Sequence, residues 1–274
     1  TTIKDYTRKI ANEMGVRGLM NMQYAIENGK VFVLEANPRA SRTVPLVSKV
    51  CNIQMVRLAT QIMTAPLTGA ESPLPGMKEV HPEYYGVKEA VFPFNMFPEV
   101  DPVLGPEMRS TGEVLGLAKD VGDAFFLAQE ATKTELPTSG SILFTVSNSD
   151  KDEVVDVAKT FAKCGFKILA TSGTYNCLKA AGVEAERVNK VQEGRPNIID
   201  LMMNGKVQML VNTPARKEEL LFDDGYVRRT AIKTRIPYMT TMAAAKASAE
   251  GIKLFVEEGD VGVISLQEVH KAIK

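Results

Sequence analysis

Between Val31 and Val44 the chain reads Val-Phe-Val-Leu-Glu-Ala-Asn-Pro-Arg-Ala-Ser-Arg-Thr-Val, which puts a carboxylate, an amide and two guanidiniums directly behind an apolar run. Carboxylate and amide oxygens, with water, suit Mg²⁺ or Mn²⁺, ions that usually keep phosphate oxygens among their ligands. Arg39 and Arg42 can take phosphate in forked hydrogen bonds. A lone Glu35-x-Asn37 would be an ordinary polar loop after a hairpin. With both arginines, and with Gln23 upstream, the set points to a site for metal-bound phosphate.

A second group lies far downstream. Thr171-Ser172-Gly173-Thr174 follows an apolar run and opens a helical pattern, so its N–H groups and hydroxyls can surround an anion with the help of the helix dipole. Lys151 and Lys190 follow two other apolar runs and can converge there as point charges, leaving Asn212 to read a base or ribose. Taken singly, each is a capped turn or a solvated side chain. Their recurrence at four strand ends makes a phosphate-bearing ligand the reading of choice.

The elements that position the first group begin with a helix carrying Ile3, Tyr6, Ile10 and Met14, stopped by Gly15. Met20, Met22, Tyr24 and Ile26 then alternate with Asn21, Gln23 and Ala25, and Glu27-Asn28-Gly29 supplies a hairpin turn before Val31 to Leu34. Pro38 cannot extend a ladder, so the second strand ends near Glu35. Pairing Ile26 with Lys30 across a three-residue loop puts Gln23 and Glu35 on one face, whereas a two-residue loop puts them on opposite faces. The three-residue loop is expected. One helix is expected from Leu46 to Met63, then a loop from Ala65-Pro66 to Pro75-Gly76. The stretch from Pro93 to Gly112 has Pro or Gly too often for regular elements, and a helix is expected from Val121 to Thr132.

Glu135-Leu136-Pro137-Thr138-Ser139-Gly140 reads as a linker, after which the pattern changes. Strand-like runs at Ile142–Val146, Lys167–Ala170, Ala185–Val188, Val207–Val211 and near Tyr238 alternate with amphipathic segments, one of them behind a Ser149-x-x-Asp152 capping box. The expected architecture is α/β, with a mostly parallel five-stranded sheet in the second domain. In such sheets ligands bind beyond the carboxyl ends of the strands, where Ser147, Thr171, Asn189, Asn212 and Thr240 fall.

The 274 residues allow about two domains. With 33 basic against 33 acidic residues there is no electrostatic case for nucleic acid or an acidic membrane. Cys51, Cys164 and Cys177 are odd in number and widely spaced, His81 and His270 have no Cys or His nearby, and no apolar run is long enough to span a bilayer. The polar start is not a signal peptide. A reduced, cytoplasmic protein without structural zinc is expected.

Gln23, Glu35, Asn37-Pro38-Arg39 and Arg42-Thr43-Val44-Pro45 resemble the closing part of the ATP-grasp module of the carbamoyl phosphate synthase large subunits. The likeness runs on through Tyr84-Tyr85, Val87-Lys88-Glu89, Phe94-Asn95 and the segment from Asp101 to Glu113, and then to the C-terminus. It implies that residues 1–134 are the end of an ATP-grasp domain with a trailing segment. Residues 135–274 would then be a Rossmann-like allosteric domain of the methylglyoxal synthase type.

The resemblance implies metal and ATP binding for Gln23, Glu35 and Asn37, with Arg39 and Arg42 stabilising carbamate or phosphate. It also implies a nucleotide effector, UMP or IMP, at Thr145, Lys151, Thr171, Thr174, Lys190 and Asn212. Thr145 stands where serine is common and Pro214 where a hydroxyl residue can contact the effector, while Glu89 and Thr240 match ornithine-contact positions. Met239 replaces an Asp of ornithine-responsive members. The family makes carbamoyl phosphate for pyrimidine and arginine synthesis from MgATP, bicarbonate and glutamine-derived ammonia, in partnership with a glutaminase small subunit.

A C-terminal fragment that depends on the remainder of the large subunit and is inactive alone is therefore expected. The alternatives are a stand-alone effector-binding regulatory module, and a methylglyoxal-synthase-like lyase, which the lack of a Gly-Asp pair near the second strand or helix disfavours.

Overall fold

A computed structural model of the chain describes residues 2–77, 80–92, 112–214, 218–259 and 264–273, with side chains left out of account at 218–224 and 272. In chain order the elements are α1 (Thr2–Glu13), β1 (Asn21–Glu27), β2 (Lys30–Asn37), α2 (Thr43–Val50), α3 (Met55–Thr68), β3 (Tyr85–Val91), β4 (Gly112–Ala118) and α4 (Val121–Ala131). There follow β5 (Ser141–Thr145), α5 (Lys151–Lys163), β6 (Lys167–Thr171), α6 (Ser172–Ala180), β7 (Glu186–Val188), α7 (Ile198–Met203), β8 (Met209–Asn212), α8 (Glu218–Lys233), β9 (Tyr238–Met239), α9 (Met242–Glu258) and α10 (Leu266–Ala272). Most of the segment from Pro93 to Gly112, including Phe94-Asn95 and Asp101 to Thr111, lies outside the described residues.

Two compact units form, one of Thr1–Glu83 with Ile264–Lys274 and one of Tyr84–Val263, a division that falls elsewhere than between residues 134 and 135. Strands β3 and β4 and helix α4 cluster with the later sheet because Phe126 stacks on Phe255 of α9 at 5.1 Å. Helices α4 and α9 touch at Gly122 and Gly251, where a side chain on either would run into the other's backbone. Helix α10 clusters with the first unit, where the His270 ring meets the Lys49 carbonyl at 2.6 Å.

The first unit is a hairpin with helices. Its turn has two residues, Asn28 and Gly29 at φ 50° and 76°, with Glu27 paired to Lys30. Both central residues have positive φ, as the tight turn that matches strand twist requires. The expected three-residue loop is thus not formed. Leu34 is instead an extra residue on β2, a bulge that shifts the register so that Gln23 faces Glu35 and Asn21 faces Asn37.

The single helix expected from Leu46 to Met63 is two, α2 and α3, because Asn52 turns left-handed at φ 52° between them. Pro66, expected to open a loop, lies inside α3, whose end is set by Gly69 at φ 72°. Proline removes one backbone donor there but its fixed φ is helical.

The second unit holds a five-stranded, all-parallel sheet in the order β7-β6-β5-β8-β9. Its central strands are buried on both faces, as a parallel sheet between helices must be. Ile142 and Phe144 of β5, Ile168 and Ala170 of β6, and Met209 and Val211 of β8 pack with α5 and α9 residues such as Phe161 and Ile252. Leu143, Leu169 and Leu210 point the other way, against α7 and α8 residues including Met202 and Val227. Phe161 sits between Phe144 and Phe166, with ring centroids at 6.1 and 5.8 Å. The Ser149-x-x-Asp152 capping box is absent. Asp150 takes both Ser147 and Ser149 hydroxyls instead, and α5 starts at Lys151 without a side-chain cap.

Candidate functional site

On the hairpin, the bulge at Leu34 does what loop length was expected to do. Gln23, Glu35 and Asn37 share one face because directly opposed residues of an antiparallel pair do, and Glu35 and Asn37 are two apart. Glu35 and Gln23 are exposed and Asn37 is half-buried. Asn37 donates its amide N–H to Glu35 Oε1, so its carbonyl oxygen is turned away from that carboxylate oxygen. One carboxylate and two amides are a hard oxygen-donor set, suited to Mg²⁺ or Mn²⁺ when phosphate oxygens and water complete the shell. Among the described residues no cluster of three or more His, Cys, Asp or Glu could hold a metal by itself.

The two arginines follow on the loop into α2. Arg39 Nη1 donates to the Ala40 carbonyl at 2.9 Å, and Arg42 is the N-cap residue of α2. Both are exposed.

The second group converges at the carboxyl ends of β5, β6 and β8. Thr171 Oγ1 lies 3.3 Å from Thr145 Oγ1, and the Val146 N–H donates to Thr174 Oγ1 at 3.3 Å. Thr171, Thr174 and Asn212 are buried, Asn212 completely, beside Thr145 in the β5–β8 register. Lys151 reaches the start of α6, its Nζ 3.1 Å from where a Cβ on Gly173 would stand. Asn148 accepts from the same Nζ at 2.5 Å. Four of the expected residues and the Gly173 backbone thus surround the N-terminus of α6, the end of a helix that favours negative charge.

Lys190, half-buried, follows β7, and its backbone N–H donates to Glu193 Oε2 at 3.0 Å. The Ser172 hydroxyl reaches the same oxygen at 3.4 Å, tying the Lys190 turn to the start of α6. Sequence reasoning passed over Glu193, and also Thr213, whose Oγ1 accepts the Ser147 N–H at 2.9 Å. A hydroxyl directly after the Asn212 strand end was the available signal for Thr213. Arg228 of α8 was missed as well; its Nε donates to Asn212 Oδ1 at 3.0 Å. Burial pushes the Tyr238 phenol above its ordinary pKa, with the Arg228 charge opposing.

Glu89 and Thr240 are not joined by a hydrogen bond or ion pair among the described residues. Glu89 is half-buried on β3 opposite Val114, and burial pushes its carboxyl up against the opposing effect of the Ala90 backbone. Thr240 directly follows β9.

Comparison with known proteins matches residues 1–67 to the model "Carbamoyl-phosphate synthase L chain, ATP binding domain" and residues 153–240 to "MGS-like domain". A carbamoyl phosphate synthase large chain of Methanosarcina barkeri is 41% identical over 272 residues, covering 99% of this chain and 67% of that protein. The chain belongs to the carbamoyl phosphate synthase large chain family. The C-terminal section of the large chain from Aquifex aeolicus is 44% identical across 98% of this chain. The large chain of Acidobacterium capsulatum is 48% identical across 92% of it. The chain spans 53% and 23% of the lengths of those two relatives.

Within the family frame, Gln23, Glu35, Asn37, Arg39 and Arg42 fall in the ATP-binding match, and Thr171, Thr174, Lys190, Asn212 and Thr240 in the MGS-like match. Thr145, Lys151 and Glu89 lie outside both. No helix among the described residues is long and apolar enough to cross a membrane.

Proposed function

We propose that the chain works as the C-terminal part of a glutamine-dependent carbamoyl phosphate synthase large chain. Its first unit would supply groups for the ATP-dependent phosphorylation of carbamate, and its second would bind a nucleoside monophosphate effector such as UMP or IMP. The reading rests chiefly on the register of the hairpin, which sets Gln23 against Glu35 with Asn37 on the same face.

Phosphoryl transfer is mostly positioning and charge neutralisation. Gln23, Glu35 and Asn37 would hold a divalent ion, which when bound would supply that neutralisation for the phosphates of ATP. Arg39 and Arg42 would take phosphate or carbamate oxygens in forked bonds. All of these side chains are exposed or half-buried, and transfer to carbamate rather than to water requires a closed site. The remainder of the large subunit and the glutaminase small subunit are therefore the partners this reading requires.

Glu35→Gln in the complete enzyme tests it. The expected result is a large loss of carbamate-dependent ADP formation with effector affinity unchanged; undiminished ADP formation would refute the assigned role, and equal loss of both would point to misfolding instead.

A regulatory module that binds effector without turnover is favoured by the contrast between the buried threonines of the sheet and the open hairpin. ADP formation by this chain alone, dependent on bicarbonate or carbamate, would refute it. The polar strand ends would hold the phosphate at Thr171, Thr174, Lys151 and Lys190 and the base or ribose near Asn212. Ornithine at Glu89 and Thr240 is a further candidate effector contact, and methylglyoxal release from dihydroxyacetone phosphate would instead favour a lyase.

A further inference from the structure

Lys190 stands two residues beyond the last rung of the sheet, because the pairing of β7 with β6 ends where Val188 lies opposite Thr171. The loop that follows is closed on itself. The Ile198 N–H donates to the Asn189 carbonyl at 3.1 Å, the Asn189 amide donates to the Pro196 carbonyl at 3.2 Å, and Arg195 pairs with Asp200 at 3.3 Å. These bonds fix the shape of the loop but not its distance from α6.

Glu193 supplies that tie. One of its carboxylate oxygens, Oε2, accepts the Lys190 N–H at 3.0 Å and the hydroxyl of Ser172, the first residue of α6, at 3.4 Å. The bond to Lys190 by itself would cap the short 3₁₀ turn of Val191–Glu193. The bond to Ser172 crosses to another element, and capping does not require it. Both donors are neutral, so an uncharged acceptor oxygen of the same reach could hold them equally. The negative charge instead stands beside a helix end that favours anions, where a bound phosphate would meet it as a like charge.

We propose that Glu193 is a positioning residue of the phosphate cradle. It clamps the Lys190 turn to the start of α6 through its acceptor oxygen, while its charge opposes the phosphate. The inference rests on the reading of the strand ends as a nucleotide site.

The test is titration of the chain and its variants with UMP, IMP and ribose 5-phosphate, the last a probe that has the phosphate and sugar but no base. Glu193→Ala removes the clamp and is expected to weaken every probe that binds the parent by roughly tenfold, about one hydrogen bond. Glu193→Gln keeps an acceptor oxygen of the same reach without the charge, and should bind each probe at least as tightly as the parent. In a Lys190→Ala background Glu193→Ala should cause no further weakening, whereas a general loosening of the fold would weaken both backgrounds alike.

Equal weakening by Glu193→Gln and Glu193→Ala would overturn the proposal, because the site would then depend on the charge. So would unchanged or tighter binding by Glu193→Ala, or a further loss in the Lys190→Ala background. If the parent chain binds none of the three probes, the nucleotide-site reading fails and takes this proposal with it, a result that appears before any substitution is made and so is distinct from the others.

Discussion

The two units differ in how much of their apolar surface they bury, and the difference follows their sites. In the second unit Ile142, Leu143, Phe144, Phe161, Leu178, Leu210 and Ile252 are essentially inaccessible, and the buried Thr171 and Thr174 of the candidate site stand at the end of β6 and in the first turn of α6 in the same unit. In the first, Ile26 is 66% and Leu34 64% exposed on the hairpin, with Val33, Phe32, Met63 and Leu67 also exposed, and among the described residues only Val44, Val50, Ala59, Ala65 and Val269 are buried hydrophobics. A parallel sheet covered on both faces carries its own rigid frame to the strand ends. A two-stranded ribbon does not stabilise itself to the same degree. On the proposed function, the second unit would hold a site that works where it stands, and the first a set of groups that would act once other parts of the enzyme cover them.

The largest effect that could break this comparison comes from the cores. Phe161→Ala removes a ring packed between two others and should cost the second unit about 3–5 kcal/mol, abolishing its cooperative melt and nucleotide binding together. Leu34→Ala, on the exposed side of the bulge, should shift the first unit's stability by less than about 0.5 kcal/mol. Denaturant titration of both variants reads the contrast, and a Leu34→Ala loss as large as that of Phe161→Ala would erase it.

Next in size is Lys190→Ala, which removes one charge-assisted contact and should weaken UMP or IMP binding by about 1.5–3 kcal/mol without a change in melting temperature. Unaltered affinity would take Lys190 out of the cradle. Thr174→Val keeps the shape but removes the acceptor of the Val146 N–H, and should cost about 1–3 kcal/mol of stability, readable by denaturant titration.

The smallest effect concerns Glu89. Its carboxyl titrates above the unfolded value of 4.5 because burial disfavours the charge. Folding thus favours the protonated form, so the contribution of Glu89 is fully present below pH 4.5 and is lost as the pH rises through the raised folded value. Glu89→Gln should raise stability at neutral pH and flatten that part of the pH profile. A variant that is less stable at neutral pH would mean that the charge has a favourable partner.

Much of the second unit was legible because its signals are local and repeated. Each strand from β5 to β9 lies within two residues of an apolar run visible in the sequence, and period-two alternation sends Leu143 and Phe144 to opposite cores. The hairpin was harder. Asn28-Gly29 announces a tight turn, but its two-residue length and the compensating bulge at Leu34 are decided by how β1 and β2 pair, which local composition does not encode. The break between α2 and α3 rests on one residue, Asn52, whose left-handed turn no apolar periodicity marks. The loop expected from Ala65-Pro66 begins later because the fixed dihedral of Pro66 is compatible with α3. Arg228 was invisible for a different reason. Its partner, Asn212, lies on another element, and only folding brings guanidinium and amide within 3.0 Å.

The central claim, that this chain carries a complete nucleotide site beside an incomplete catalytic one, is tested most directly by isothermal titration with UMP and IMP, with MgATP as a further titrant. The account predicts micromolar binding of at least one nucleoside monophosphate and no binding of MgATP. Absence of any monophosphate binding, or tight MgATP binding by the chain alone, would contradict it.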